Sequence, residues 1–222
     1  MAEQLTFDLA ARPALGRDDY FVSPANATAV AGIDAWRDWP RGKMVLTGPQ
    51  GAGKTHLAHV WAEAAGAQVV GAAELEGLDP ATLGPALAVE DVDRGLTEAA
   101  ETALFHIHNV LAGQGGALLL TARMAPARWP LRLADLKSRV QQAGVLQLDA
   151  PDDALLAALM VKLATDRQLR LAPRLIPYAL LRMERSFAAA QRLIARIDAQ
   201  SLRDKKKPGE AMIRAILAED GE

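Results

Sequence analysis

The sequence of 222 residues contains no cysteine and only four histidines. Without cysteine the chain can form no disulfide, no zinc site built on thiolates and no cysteine nucleophile, and the composition fits a reducing compartment. The scattered histidines do not replace such a site. His106 and His108 lie two residues apart in a helical pattern, so their side chains point away from each other and do not form a metal-binding pair.

A large charge imbalance and a long apolar run are also missing. Lys and Arg total 25 against 27 Asp and Glu, which gives a net charge of −2. This balance excludes a protein that coats nucleic acid or an anionic membrane by bulk charge. No apolar stretch reaches the roughly 18 residues that a membrane span needs. The start, MAEQLTFDLAARP, lacks the basic-then-apolar order of an export signal, so we expect a cytoplasmic protein with no membrane partner.

What the sequence does contain, from Met44 onward, is a regular alternation of short apolar runs with longer helical patterns. This order predicts βαβ units around a parallel five-stranded sheet. The strand-length runs are apolar at successive positions, as expected of a sheet that is covered on both faces. They are Met44–Thr47, Gln68–Val70, Leu87–Val89, Ala117–Thr121 and Val145–Leu148. Between them, helices are predicted from Lys54 to about Ala65 and from Thr97 to about Ala112.

After Leu148 the strand signal stops, and the remaining chain has a helical pattern broken by prolines at 173, 177 and 208. Pro151, followed by the acidic residues Asp152 and Asp153, is predicted to open the first of these helices. We therefore predict three segments: a tether over residues 1–19, an α/β domain over residues 20–150 and a small all-α lid domain over residues 151–222.

The strongest motif is GPQGAGKT, which follows the apolar run VLT and opens a helix. Its glycines let backbone amides converge on phosphate oxygens, where the helix N-terminus adds partial positive charge. Lys54 would reach the β- and γ-phosphates, and the Thr55 hydroxyl would bind Mg²⁺. The motif predicts ADP or ATP with Mg²⁺ as cofactors. The predicted binding residues are Gly48, Pro49, Gln50, Gly51, Ala52, Gly53, Lys54, Thr55 and the adjacent His56.

A phosphate-binding loop needs an acidic residue at the end of a neighbouring strand to hold the metal. Glu90 and Asp91 directly follow the run Leu87–Val89. Glu90 is predicted to hold the Mg²⁺ and Asp91 to orient the attacking water. Because Glu stands at the first position, where Asp is commoner, we expect weak hydrolysis by this chain itself.

Several motifs together resemble the AAA+ family and its DnaA-related branch. The stretch DDYFVSPANATAV resembles the segment that wraps the adenine base, and DLKSRV resembles the arginine-finger box. GGALLLTARMAP resembles the strand of the first sensor, and MERSFAAAQRLIARID the helix of the second. The resemblance covers roughly residues 19 to 218 and implies an AAA+ α/β core followed by a helical lid.

The resemblance also implies roles for individual residues. Arg139 would be the finger, acting in trans on the nucleotide of a partner. Thr121 and Arg123 would stand at the first sensor, although Arg123 fits a strand cap equally well. Arg185 would approach the β- and γ-phosphates, although a solvated basic face with Arg182 and Arg192 explains it equally well. The residues beside the base would be Tyr20, Phe21, Val22 and Asn26.

A second resemblance lies at the N-terminus. The segment QLTFDL is similar to the short peptide by which bacterial proteins dock on the sliding clamp, which is the beta subunit of DNA polymerase III. An extended segment with alternating apolar anchors suits such a pocket. The predicted docking residues are Gln4, Leu5, Thr6, Phe7, Asp8 and Leu9.

Direct binding of DNA has little support in the sequence. The basic cluster of Arg203 and residues 205–207 is short, is interrupted by Asp204 and precedes Pro208. This pattern favours a solvated loop over a phosphate contact. DnaA continues into a helix-turn-helix domain after its lid, and we expect none here. Contact with DNA is expected only through the clamp.

The expected function is regulation of chromosomal replication initiation. The resemblance implies that the chain is tethered to the clamp, pairs with DnaA and promotes hydrolysis of DnaA-bound ATP. A homo-oligomer is also compatible with the motifs. Three alternatives stay open: a helicase-loader-like AAA+ ATPase, a small-molecule P-loop kinase, and an assembly factor whose nucleotide site is vestigial.

Overall fold

The computed structural model of the chain describes residues 20–219. One sheet contains five strands: β1 (Lys43–Thr47), β2 (Gln68–Gly71), β3 (Ala86–Glu90), β4 (Ala117–Ala122) and β5 (Gly144–Gln147). All neighbours in the sheet are parallel, and the spatial order is β2-β3-β4-β1-β5. The predicted parallel five-stranded sheet is confirmed, and each predicted strand end differs from the observed one by no more than one residue.

The edge strand β5 corrects the expectation that every strand is buried on both faces. The central strands β1, β3 and β4 are buried along almost their whole length. In β5, by contrast, exposed and half-buried residues alternate, and Val145 is 49% exposed. Strand β5 has a neighbour on one side only. Helix α1 packs on the face that carries Leu146, whereas Val145 points to the opposite face and is not enclosed.

Helices cover both faces of the sheet. On one face, α1 (Ala27–Asp34) and α2 (Lys54–Ala65) pack through side chains such as Leu57 and Trp61 against Leu46 and Leu119. On the other face lie α3 (Glu98–Gly113) and α4 (Ala134–Gln141), which share a second apolar cluster with alternate residues of β1, β3 and β4. The sheet is therefore enclosed between two layers of helices, with its strand ends free to form a site.

The chain after β5 is helical as far as the structure describes it. Its helices are α5 (Asp153–Asp166), α6 (Leu175–Leu180), α7 (Phe187–Asp204) and α8 (Glu210–Glu219). They enclose an apolar cluster of their own, built on residues such as Met160, Leu193, Ile197 and Ile213. We call residues 153–219 the lid. Among residues 20–219 no helix is both long and apolar enough to cross a membrane.

Side-chain caps fix where the longer helices begin. Thr97 accepts a hydrogen bond from the Ala100 N–H, and Asp152 accepts one from the Leu155 N–H. The predicted start at Pro151 is therefore corrected: α5 begins at Asp153, after the capping Asp152. Such caps satisfy backbone donors that have no partner within the helix. Pro177 lies inside α6 instead of breaking it, because the first turn of a helix tolerates a residue without an N–H.

Candidate nucleotide-binding site

The site lies where the carboxyl ends of three neighbouring strands meet. The phosphate-binding loop follows β1, the acidic pair closes β3, and Thr121 lies near the end of β4 between them. A cavity of about 400 Å³ opens there between the sheet and the lid. Its lining comprises Tyr20, Phe21, Gln50, Gly51, Gly53, Lys54, Thr55, His56, Asp91, Arg94, Arg123, Leu155, Leu159, Phe187, Ala188 and Gln191.

The loop from Gly48 to Thr55 forms a phosphate cradle. Gly51 and Gly53 have φ angles of 74° and 92°, a region that glycine adopts readily and other residues do not. The Lys54 ammonium donates hydrogen bonds to the carbonyls of Gly48 at 2.8 Å and Pro49 at 2.9 Å. Phosphate oxygens are stronger acceptors for an ammonium than these carbonyls. The loop geometry therefore fits a nucleotide phosphate.

Burial lowers the pKa of Lys54, and the nearby Arg123 and Arg94 act in the same direction, whereas Asp91 and Asp93 raise it. The ammonium is thus desolvated and only partly compensated by the carboxylates around it. An added phosphate would compensate the charge further, because an opposite charge at close range favours the cationic form.

The two acidic residues at the end of β3 lie in different environments: Asp91 lines the cavity, whereas Glu90 lies outside its lining. One carboxylate oxygen of Glu90 is buried and has no hydrogen-bond partner among the described residues. Buried carboxylate oxygens normally have partners, so this one fits a ligand such as hydrated Mg²⁺. Asp91 lines the cavity, with a left-handed backbone at φ 58° and an ion pair to Arg94 at 3.4 Å.

Two buried residues hold the ends of β3 and β4 together. The Thr121 hydroxyl accepts a hydrogen bond from the Asp91 N–H at 3.1 Å. The Asp93 carboxylate accepts hydrogen bonds from the N–H groups of Arg123 and Met124 at 2.8 and 3.1 Å. Thr121 is buried and does not line the cavity, so it acts on the site through the backbone of Asp91.

Arg123 faces the phosphate loop. Its guanidinium donates to the Gln50 side chain at 2.9 Å and lines the cavity, while its backbone N–H is held by Asp93. The sequence is compatible with two roles for Arg123, a sensor or a strand cap. The position of the side chain beside the loop favours a contact with bound nucleotide.

Aromatic side chains form part of the cavity wall. Tyr20 packs edge-on against His56 with 4.9 Å between ring centroids, and the exposed Phe21 lies next to it. Asn26 is buried, and its amide donates to the Phe21 carbonyl at 2.8 Å, so it shapes the segment without lining the cavity. Val22 is exposed and also lies outside the lining.

The lid contacts the phosphate loop directly at the start of α7. The Phe187 N–H donates to the Gly51 carbonyl at 3.2 Å. A Cβ atom on Gly51 would lie 2.7 Å from the Ser186 Cβ, and one on Gly53 would lie 2.9 Å from the Phe187 ring. Glycine at these positions therefore permits both the loop conformation and the close approach of the lid.

The structure does not bring Arg185 into the cavity. Its guanidinium forms an ion pair with Asp153 of α5 at 2.9 Å, both side chains are more than half exposed, and Arg185 is absent from the lining. The predicted approach of Arg185 to the phosphates is not seen in this arrangement of the lid. Ala188, three residues further along the chain in α7, lines the cavity instead.

Arg139 lies at the opposite end of the sheet. It is exposed in the last turn of α4, and its carbonyl is 3.5 Å from the ammonium of Lys43, the first residue of β1. The phosphate loop follows Thr47, the last residue of β1. Four steps along a strand span about 13 Å, so Arg139 belongs to a different surface from the cavity.

Sequence reasoning did not find several residues of the site. Arg94 could have been found, because it follows Asp91 by three residues in a short turn. The lid residues Leu155, Leu159, Phe187 and Gln191 gave no local signal, since only the packing of the lid brings them to the cavity. Residues Gln4–Leu9 lie outside the described part of the chain, so their predicted docking role stays a prediction.

The chain matches no family model and no curated protein. Solved structures do resemble it. Domain III of the Thermotoga maritima replication initiation protein DnaA superposes with a TM-score of 0.81 at 17% sequence identity, over 94% of this chain and 97% of that domain. The chain has the AAA+ fold.

Other AAA+ structures have the same fold as this chain. AMPPCP-bound DnaA from Aquifex aeolicus gives a TM-score of 0.69 at 17% identity, over 84% of this chain and 66% of that one. The Holliday junction branch migration motor RuvB of Thermotoga maritima gives 0.66 at 19% identity, over 90% of this chain and 70% of that one. At these identities the similarity establishes the AAA+ architecture alone. The cavity lies at the usual nucleotide position of an α/β fold, beyond the carboxyl ends of the strands.

Proposed function

We propose that this chain is an Hda-type regulator of replication initiation, which binds adenine nucleotide itself and promotes hydrolysis of the ATP held by DnaA. A sliding clamp on DNA would tether it through residues Gln4–Leu9. The function of this chain in the proposal is to supply a residue to a partner's nucleotide site.

The observation that carries this proposal is the position of Arg139. The residue is exposed at the end of α4, near the end of the sheet opposite to the cavity. A residue there cannot serve the chain's own nucleotide, but it can enter the site of a neighbouring molecule. An arginine supplied in trans to a phosphoryl-transfer site stabilises the charge of the transition state and contributes on the order of 10³–10⁵ in rate.

The chain's own cavity would bind ADP or ATP mainly as a structural ligand. Lys54 and Arg123 would contact phosphates, Thr55 and Glu90 would hold Mg²⁺, and the wall around Tyr20 would enclose the base. Mg²⁺ would supply charge neutralisation between phosphates. The ion pair of Asp91 with Arg94 engages the carboxylate that would otherwise orient water, which is consistent with weak hydrolysis by this chain.

Loss of the finger tests the proposal. A mixture of this protein, ATP-loaded DnaA and clamp on DNA is expected to release phosphate faster than the same mixture without the protein. The variant Arg139→Ala should reduce this stimulation by roughly 10³-fold, to the unstimulated rate. Nucleotide binding to the chain, measured by calorimetry, should not change, because Arg139 is remote from the cavity.

A matched control is Arg128→Ala, which removes an exposed arginine from the loop before α4. It should stimulate like the unmodified chain. If Arg139→Ala also stimulates normally, the finger assignment is wrong. If the unmodified chain stimulates a replicative helicase or its loading instead of DnaA, the alternative of a helicase-loader-like ATPase replaces the proposal.

A further inference from the structure

A buried pair of basic side chains lies beneath the end of α4. Lys43 is 7% exposed and His108 is 3% exposed. The Lys43 ammonium lies 2.7 Å from the Nε2 atom of His108 and 3.5 Å from the Arg139 carbonyl. No carboxylate within residues 20–219 forms a salt bridge with Lys43. A buried ammonium without a carboxylate is costly, so this arrangement calls for a physical reason.

With Lys43 in its charged form, the contacts fit one protonation state of His108. An ammonium is only a donor, so at 2.7 Å the Nε2 atom of His108 acts as the acceptor and carries no proton. The Nδ1 atom then carries the ring proton, and it lies 3.3 Å from the side-chain oxygen of Asn109, which accepts it. The ring is therefore neutral, and its two nitrogens have different partners.

The pair contacts the end of the helix that carries the finger. The last carbonyls of a helix lack partners within the helix and form the negative end of its dipole. The Arg139 carbonyl accepts the Gln142 N–H at 3.3 Å and faces the Lys43 ammonium. Arg41 adds a hydrogen bond from its guanidinium to the Gln142 side chain. The last turn of α4 is thus contacted by two basic groups, Lys43 at the start of β1 and Arg41 in the turn before it.

We propose that Lys43 and His108 are positioning residues for Arg139: neutral His108 orients the Lys43 ammonium, and Lys43 fixes the C-terminal turn of α4. This inference rests on the proposed function only for its effect on a partner. A group that stabilises a transition state must be held accurately, because a displacement of about 1 Å can cost on the order of 10²-fold in rate.

Protonation of His108 would disrupt the pair, since two cations would then face each other at hydrogen-bond distance. Burial lowers the pKa of His108 below the ordinary value of 6.5; Lys43 lowers it further, Asn109 raises it, and Arg139 lowers it. Burial, Arg41 and Arg139 also lower the pKa of Lys43. The unfolded chain takes up the histidine proton near pH 6.5 and the folded chain only at lower pH. The free energy of unfolding therefore decreases as the pH falls below 6.5.

Two substitutions test the pair in the full chain. Lys43→Met keeps most of the side-chain volume and removes the ammonium. We expect the global stability in urea to stay equal or rise, because a buried charge without a carboxylate is lost. Amide hydrogen exchange at Gln142 and Ala143 should nevertheless become several-fold faster, and stimulation of the partner's ATP hydrolysis should fall about tenfold.

The conservative variant His108→Gln keeps an acceptor for Lys43 and cannot take up a proton in this range. It should stimulate like the unmodified chain at about pH 7.5. As the pH falls below 6.5, it should keep its amide protection relative to the intrinsic exchange rate at the end of α4, whereas the unmodified chain loses protection there. Lys162→Met in the lid is a control for loss of one positive charge. It should change neither measurement.

The outcomes separate this inference from the proposed function. Absence of stimulation by the unmodified chain contradicts the proposed function, while hydrogen exchange still decides whether Lys43 holds α4. Unchanged exchange in Lys43→Met overturns the positioning role. Faster exchange without any loss of stimulation also overturns it, because α4 would then be loosened without effect on the finger.

Discussion

Asp91 holds a backbone conformation that residues with a side chain rarely adopt, with φ 58° and ψ 38°. Such a residue persists where its surroundings determine it, and it is frequently found at functional sites. Here the Thr121 hydroxyl accepts the Asp91 N–H, and the Asp91 carboxylate pairs with Arg94. The conformation turns the chain at the end of β3, so the carboxylate faces the cavity.

Thr121→Val should therefore destabilise the chain. The substitution keeps the volume and removes the acceptor, which leaves the Asp91 N–H without its partner. We expect the free energy of unfolding in urea to fall by about 1–3 kcal/mol. The matched variant Thr121→Ser keeps the hydroxyl and loses a buried methyl group, at a cost of about 1 kcal/mol.

A second readout concerns the site itself. Binding of a nonhydrolysable ATP analogue should weaken in Thr121→Val and not in Thr121→Ser, since only Thr121→Val removes the acceptor for the Asp91 N–H. Equal affinities in the two variants would show that the hydroxyl does not position Asp91.

The N-termini of two helices, α2 and α7, lie at the phosphate-binding loop. α2 starts at Lys54 within the loop, and α7 starts at Phe187, whose N–H donates to the Gly51 carbonyl. Both helices thus direct the positive ends of their dipoles towards the cavity. The arrangement couples the lid to the loop, because a loop that changes shape must also change its contact with α7.

Gly51→Ala should break this contact. The residue has φ 74°, and a Cβ atom would lie 2.7 Å from the Ser186 Cβ. A left-handed conformation costs a residue with a side chain about 1–2 kcal/mol, and the start of α7 must also move. We expect a lower midpoint of thermal unfolding and weaker nucleotide binding.

Gly77→Ala provides the control. No atom lies within 4 Å of a Cβ at Gly77, and its φ is not in the left-handed range. Its midpoint should stay close to that of the unmodified chain. Equal unfolding midpoints of Gly51→Ala and Gly77→Ala would mean that α7 does not pack on the loop in solution.

Across the molecule, the sheet separates two surfaces. The cavity lies beyond the carboxyl ends of the strands, and Arg139 lies near the amino end of β1. The net charge of −2 gives the chain no general attraction to DNA. In the proposed function, the clamp provides the missing attachment, and the AAA+ core presents its finger to DnaA.

Deletion of residues 1–10 should abolish binding to the clamp, measured by surface plasmon resonance. An extended peptide that docks into a pocket contributes the contacts itself, so its loss removes the affinity. The double substitution of Leu5 and Phe7 by alanine should have the same effect.

The rate of ATP hydrolysis by DnaA, measured with the shortened chain, distinguishes the role of the N-terminal tether from that of Arg139. The shortened chain should still stimulate at high protein concentration, because a tether raises only the effective concentration. Clamp binding by the shortened chain would contradict the predicted docking role of Gln4–Leu9.

Much of the core could be predicted because it depends on local pattern. The strands follow from apolar runs, and the loop from GPQGAGKT, because its glycines and Lys54 act within eight residues. The exposure of Val145 could not be predicted, since an apolar residue in an edge strand looks the same in sequence as one in a central strand. Arg185 was placed by resemblance, whereas its position in the structure depends on Asp153, 32 residues away.

Residue type and spacing over a few neighbours were enough to specify the parallel sheet, the phosphate loop, the acidic pair and the charge balance. The packing of the folded chain was needed to show that Phe187 and Ala188 complete the cavity and that Thr121 acts through Asp91. It was also needed to bring Lys43, His108 and Arg139 together at the other end of the sheet. These contacts join residues that are far apart in the chain. Packing of the folded chain decides which residues meet, and a local sequence pattern carries no information on that packing.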